Sequence, residues 1–188
     1  MQKILLVFIF FVLCAPQVLA VSPIIQRVSI SDAMVTPIAT YVQYNLPFPG
    51  ILPGHRMYKF KVLRDKIIEA LLIDPKQKIG FYLKQTDKGI LATAMLVDQG
   101  KFVLVKDTAL KAENNYTLLT HELYELNGNP GPEFFNTLAL ASAKHQEVLA
   151  SLLPRVPVDV RPTLETVIGF SLRNLISVQE FEKQVNNE

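Results

Sequence analysis

The 188-residue sequence predicts an all-α fold, an antiparallel bundle of about five helices that follows an extended, proline-rich strap. Two observations carry this prediction. Apolar residues recur at steps of three and four over most of the chain after the strap, which is the spacing of one helical face. Proline or glycine marks each break between these patterns, and short joints of this kind connect neighbouring antiparallel helices.

Three segments follow one another along the chain. Residues 1–20 are predicted to be a signal peptide, residues 21–45 an extended lead-in and residues 46–188 the helical domain. The lead-in is rich in β-branched residues, contains two prolines and shows no helical period, which favours an extended conformation.

The first twenty residues are typical of a secretory signal. Lys3 supplies the positive charge, residues 4–15 form an unbroken apolar run, and Ala20 offers a small residue for cleavage. The apolar run is shorter than the roughly 20 residues that a spanning helix needs. We therefore expect the mature chain to have no membrane span and to lie outside the cytoplasm, either secreted or periplasmic. A signal that is not cleaved would tether the chain to the membrane.

Cysteine content and charge narrow the function classes. Cys14 is the only cysteine and lies inside the predicted signal, so the mature chain is expected to form neither disulfides nor thiolate metal sites. The net charge is only +2 and no run of five like charges occurs, so the sequence gives no support to nucleic-acid binding.

The strap, residues 46–58, opens the helical domain. Pro47, Pro49 and Pro53 fix their own φ and hold the preceding residues extended. Large apolar side chains there would cost about 1.5–3 kcal/mol each if left in water, so we expect them to insert into the helical body over the end of the first helix. These side chains are Phe48, Ile51, Leu52 and Met57.

The first two helices are predicted over residues 56–73 and 75–99. Asp74 is placed to cap the second helix and Gly100 to end it. The first helix is expected to bury Phe60, Leu63, Ile67 and Leu71. The second is expected to bury Ile79, Leu83, Thr86, Ile90, Ala94 and Val97.

Three further helices are predicted over residues 101–126, over residues 132–152 and from Pro162 onward. The buried seam of the third consists of Val105, Ala109, Ala112, Tyr116, Leu119, Leu123 and Leu126. That of the fourth consists of Phe135, Leu138, Ser142, His145, Leu149 and Leu152. Because both seams have coiled-coil spacing, we expect these two helices to pair, with His145 and Tyr116 forming a buried imidazole–phenol hydrogen bond. The fifth helix is expected to bury Leu164, Ile168, Leu175 and Val178.

Several sequence stretches carry a resemblance to a known family. They are residues 46–53 (Leu-Pro-Phe-Pro-Gly-Ile-Leu-Pro), 57–59 (Met-Tyr-Lys), 62–66 (Val-Leu-Arg-Asp-Lys), 74–78 (Asp-Pro-Lys-Gln-Lys), 87–88 (Asp-Lys), 145–149 (His-Gln-Glu-Val-Leu) and 156–157 (Val-Pro). With these stretches the chain resembles the bacterial domain-of-unknown-function family 5667 over roughly residues 44–170. The resemblance implies a secreted or membrane-tethered α-helical protein, and it implies no activity.

His121, Glu125 and His145 are the only candidates for a metal or small-molecule site. His121 and Glu125 stand four residues apart, and His145 lies on the next predicted helix. Metal sites in bundles commonly use Glu-x-x-His pairs on two helices, and here Ser142 stands three residues before His145. A solvated surface pair of His121 and Glu125 is therefore favoured, and we assign no metal ligand and no cofactor.

Asp65 and Glu69 are paired carboxylates at helical spacing, which is the minimum for acid–base work on a glycan. Arg64 and Lys66 flank Asp65, which favours solvated ion pairs instead. No serine elbow, phosphate loop or dinucleotide motif is present. We assign no catalytic residue.

The sequence thus predicts a secreted, non-enzymatic helical module whose partner is an unknown protein or the cell envelope, with self-association as a further option. Two alternatives stay open. One is a small-molecule or metal-binding helical bundle, and the other is a hydrolase of envelope polymers.

Overall fold

A computed structural model describes residues 41–187, so the predicted signal and most of the predicted lead-in lie outside the described residues. The helices are α1 (Tyr58–Leu71), α2 (Pro75–Asp98), α3 (Phe102–Leu123), α4 (Pro132–Leu152) and α5 (Arg161–Asn187), with a 3-10 turn at Leu153–Arg155. Residues 41–57 contain only turns and irregular backbone. All regular structure in the described part of the chain is helical, which confirms the predicted all-α class.

Helices α2 to α5 form the bundle. Helix α2 packs along α3 and α4 along α5, while α3 also packs against α5 and α2 against α4. Helices α3 and α4 therefore occupy opposite corners, and their predicted coiled-coil pairing is wrong. The linkers fit this arrangement. Gly100 (φ 66°) makes a tight turn that keeps α2 and α3 adjacent, whereas the longer linker of residues 124–131 does not force α4 to lie beside α3.

The core divides into one apolar cluster near each end of the bundle. The cluster at the junction of α2 with α3 includes Ile90, Leu96, Val105, Ala109, Leu149, Leu152, Leu164 and Val167. The cluster at the other end includes Ile79, Tyr82, Tyr116, Leu119, Leu123, Phe135, Leu138, Val178 and Phe181. Both predicted seams on α3 and α4 are buried, apart from Leu126, which follows the end of α3.

Local signals at the ends of α2 act as the sequence predicts. Asp74 caps the helix by accepting a hydrogen bond from the backbone N–H of Lys76 at 3.3 Å, and Pro75 is the first helical residue.

No helix within residues 41–187 combines the length and apolar character needed to cross a bilayer.

Gly89 allows α2 and α3 to approach closely. A Cβ atom on Gly89 would lie 2.5 Å from the Cβ of Ala112, whereas one on Gly80 would meet nothing within 4 Å. We expect Gly89→Ala to lower the free energy of unfolding by about 1–3 kcal/mol. The matched Gly80→Ala, in the same helix, should raise it by about 0.5–1 kcal/mol through helix propensity. Urea denaturation followed by circular dichroism measures both, and equal effects of the two substitutions would contradict a close contact at Gly89.

Candidate docking surface and buried polar cluster

Helix α1 faces the bundle with its polar side. The partly buried residues of this side follow steps of three and four: Tyr58, Lys61, Asp65 and Glu69. The ammonium of Lys61 donates to the carbonyl oxygens of Pro49 at 2.8 Å and Ile51 at 3.3 Å. The phenol of Tyr82 on α2 donates to Glu69 Oε1 at 2.8 Å. Burial, together with that bond, raises the pKa of Tyr82 to about 12.

The apolar side of α1 faces away from the bundle. The residues predicted to be buried remain between 53% and 73% exposed: Phe60, Leu63, Ile67 and Leu71. The predicted burial of this stripe is therefore wrong, and α1 contributes no buried residue. The physical reason is that the four bundle helices complete a core among themselves, and α1 is held instead by a polar contact of Glu69 with Tyr82. The bundle surface beside α1 is mixed, with Lys88, Lys111 and Asn115 next to Phe81 and Ala92.

The strap adds to the exposed apolar surface. Phe48 (68% exposed), Ile51 (39%) and Met57 (49%) lie at the surface, so their predicted insertion into the bundle is wrong. Among the apolar residues of the strap, only Leu46 packs against a core cluster. A shallow hollow of about 400 Å³ joins the strap to α1 through Phe48, Ile51, Met57 and Phe60. We call the following set the docking face: Phe48, Ile51, Met57, Phe60, Leu63, Ile67 and Leu71.

Basic side chains border the docking face on both sides. At about 100° per residue, Lys59 and Lys66 fall along one edge of the apolar stripe and Arg64 along the other. All three are exposed. The guanidinium of Arg64 pairs with Asp65 Oδ1 at 2.7 Å, which offsets its charge. Lys59 and Lys66 therefore supply most of the exposed positive charge beside the apolar stripe.

A groove of about 360 Å³ lies between α1 and the bundle and contains both paired carboxylates. This cleft was not predicted from the sequence. Asp65 Oδ1 accepts from Arg64, and Glu69 Oε1 accepts from Tyr82. Lys61 also lines the groove, and burial lowers its pKa. Glu69 is thus held by a donor on α2 and Asp65 by a donor on α1 itself. This suits structural roles better than proton transfer to a glycan, where one carboxyl must act as a proton donor.

A buried polar cluster links α2 and α4 in the middle of the bundle. His145 is fully buried, and its Nε2 lies 2.7 Å from Asp87 Oδ1. The phenol of Tyr44 donates to Asp87 Oδ2 at 2.8 Å. Burial, followed by the negative charge of Asp87, raises the pKa of Tyr44. Asp87 therefore accepts one hydrogen bond from the phenol and shares another with the imidazole.

Tyr116 contacts His145 but does not hydrogen-bond to it. The two rings meet edge to face with centroids 5.8 Å apart, which confirms the predicted proximity. The predicted hydrogen bond is wrong, because the Tyr116 phenol donates to the carbonyl oxygen of Leu138 at 2.7 Å. Because α2 packs beside α4, the partner of the His145 imidazole is Asp87 on α2 and not the Tyr116 phenol.

Glu113 on α3 is a second buried acid, only 1% exposed. Its Oε1 accepts from Asn174 Nδ2 on α5 at 2.8 Å. Within residues 41–187, Glu113 Oε2 and His145 Nδ1 find no hydrogen-bond partner. Burial raises the pKa of Glu113, and the Asn174 bond and the charge of His145 oppose the rise.

The end of the lead-in is tied to α4 by polar contacts. The backbone N–H of Val42 donates to Glu147 Oε2 at 2.7 Å, and the Lys144 ammonium lies 4.5 Å from the centroid of the Tyr41 ring. Lys144 also donates to Glu147 Oε1 at 2.7 Å and so lowers the pKa of Glu147. Together with Tyr44, these contacts hold residues 41–46 on the bundle.

The structure does not bring the metal candidates together. His121 is exposed in the last turn of α3, Glu125 follows the end of that helix, and His145 lies in the core. Among residues 41–187, no three metal-ligating side chains form a group that could hold an ion. Asp87 and Glu113 were not predicted as buried polar residues, although both stand at core spacing. Asp87 lies three residues before Ile90, and Glu113 lies four after Ala109.

Comparison with known proteins gives no match to a family model, a curated protein or a solved structure. The resemblance to family 5667 therefore stays a prediction that depends on the sequence stretches quoted above.

Proposed function

We propose that this chain is a non-enzymatic, extracytoplasmic helical module that binds its partner through the docking face. One observation carries the proposal, namely the orientation of α1. An amphipathic helix normally turns its apolar stripe toward the core, but α1 is attached by its polar side. A contiguous exposed apolar surface of this kind marks interaction sites.

The free-energy cost of leaving these apolar side chains in water supports the same function. Each large apolar side chain left in water forgoes about 1.5–3 kcal/mol of burial free energy. The docking face contains seven such side chains, from Phe48 to Leu71. A partner that covers them would recover part of that free energy on binding. The predicted signal peptide supports a location outside the cytoplasm.

The titratable groups give little support to catalysis. His145 and Glu113 are sealed inside the bundle, where no substrate reaches them. Asp65 and Glu69 each accept a hydrogen bond from a neighbouring side chain. These contacts favour structural roles for all four residues.

Photocrosslinking in the cells that produce the chain tests the docking face. A photoreactive residue in place of Leu63 should form an adduct with a protein, a lipid or a second copy of the chain, because this side chain lies in the middle of the face. The same residue in place of Val103, which is 89% exposed on α3, is the matched control and should form none. An equal yield of adducts at both positions, or none at residue 63, would contradict the proposal.

A further inference from the structure

We infer that the docking face binds the surface of an anionic lipid bilayer, with α1 lying in the plane of the interface. This inference rests on the proposed function, and it names the partner. Helices that lie on membranes combine an apolar face with basic residues along its borders. Helix α1 shows this pattern, with Lys59 and Lys66 on one border and Arg64 on the other.

The length of α1 fits a surface position. Its 14 residues extend about 21 Å at 1.5 Å per residue, which is too short for a bilayer core of about 30 Å. Lys59 and Lys66 carry long side chains, so their ammonium groups can reach the lipid headgroups while their methylene stems lie along the apolar stripe. Phe48 and Met57 extend the same apolar surface beyond the helix.

The charge distribution distinguishes a lipid surface from a second copy of the chain. The carboxylates of α1 line the groove beside the bundle, where Glu69 accepts from Tyr82. Asp65 pairs with Arg64 of the same helix, so the exposed positive charge of the borders comes mainly from Lys59 and Lys66. In a symmetric dimer, each docking face would meet an identical one, so that the cationic borders of the two copies would be brought together. An anionic bilayer complements these borders, and each lysine near such a surface contributes favourably to binding.

Tryptophan fluorescence tests the inference directly, because the chain contains no tryptophan. Phe60→Trp in the full chain places a reporter on the docking face, and Val103→Trp is the control on α3. Vesicles of equimolar phosphatidylglycerol and phosphatidylcholine should shift the emission of Phe60→Trp to the blue, and brominated lipids should quench it. Val103→Trp should show neither effect. The predicted signal peptide is present in both variants, so the difference between them reports on the docking face.

Charge variants test the role of the cationic border. In the Phe60→Trp background, Lys59→Gln with Lys66→Gln should weaken binding to the anionic vesicles by about fivefold per lysine. Lys84→Gln with Lys183→Gln removes two exposed lysines elsewhere and should leave the affinity unchanged. Added salt should weaken the binding of the parent chain.

Three results would overturn the inference. The first is the absence of any vesicle response at residue 60, and the second is an equal affinity for vesicles of pure phosphatidylcholine. The third is a blue shift without vesicles that depends on protein concentration, because it would indicate that a second copy covers the face. An adduct at residue 63 without a vesicle response would keep the docking face and reject the lipid. The loss of both signals would reject both proposals.

Discussion

Replacing Asp87 with alanine is expected to lower the free energy of unfolding by about 2–4 kcal/mol, because each buried polar group that loses its hydrogen-bond partner costs about 1–3 kcal/mol. Asp87 is 4% exposed and bonds both Tyr44 and His145. Without the carboxylate, the imidazole would be left in the core with no hydrogen-bond partner on Nε2, and its Nδ1 already finds none within residues 41–187. The phenol of Tyr44 would lose its acceptor as well.

The matched control is Asp98→Ala, eleven residues further along the same helix. Asp98 pairs with Arg155 at the surface, where the two side chains are 57% and 49% exposed. Solvent screening limits such pairs to about 1 kcal/mol or less. Urea denaturation of both variants, followed by circular dichroism, gives the comparison. Equal losses would show that burial does not set the strength of the Asp87 contacts.

The core seams of α3 and α4 could be predicted from the sequence because the pattern depends on a single helix. Steps of three and four place residues such as Leu119 and Leu149 on one face, whichever helix lies opposite. The pairing of the helices could not be predicted in this way. The longer linker of residues 124–131 does not force α4 to lie beside α3.

Helix α1 shows the same limit more sharply. Its apolar residues recur as regularly as those of the core helices. Such a period shows which residues share a face of the helix, but it does not show which face packs against the bundle. The face of α1 that packs against the bundle is set by polar contacts with other helices, such as that of Glu69 with Tyr82 on α2. His145 gives a parallel case, because its core position was readable from spacing whereas its partner Asp87 lies 58 residues away.

Glu113→Gln is expected to stabilise the protein at neutral and alkaline pH by roughly 1–3 kcal/mol, because the buried carboxylate has no partner for its Oε2 within residues 41–187. Burial raises the pKa of Glu113 above its ordinary value of 4.5 in the folded state. The folded chain therefore binds this proton more tightly than the unfolded chain does. Stability must then fall as the pH rises from the unfolded pKa through the folded one. Glutamine resembles the neutral acid and keeps an oxygen for Asn174, so it escapes this loss.

The difference in unfolding free energy between Glu113→Gln and the parent chain should accordingly be near zero below pH 4.5 and grow as the pH rises. Glu147→Gln provides a control with the opposite sign. The Lys144 ammonium lowers the pKa of Glu147, so the contribution of that carboxylate is present above its unfolded pKa and disappears as the pH falls through the folded value. Thermal unfolding of the three chains at matched ionic strength from pH 4 to pH 8 would separate the two trends. A Glu113→Gln difference that stays constant with pH would mean that this glutamate titrates alike in the folded and unfolded chains, and its burial would then carry no electrostatic penalty.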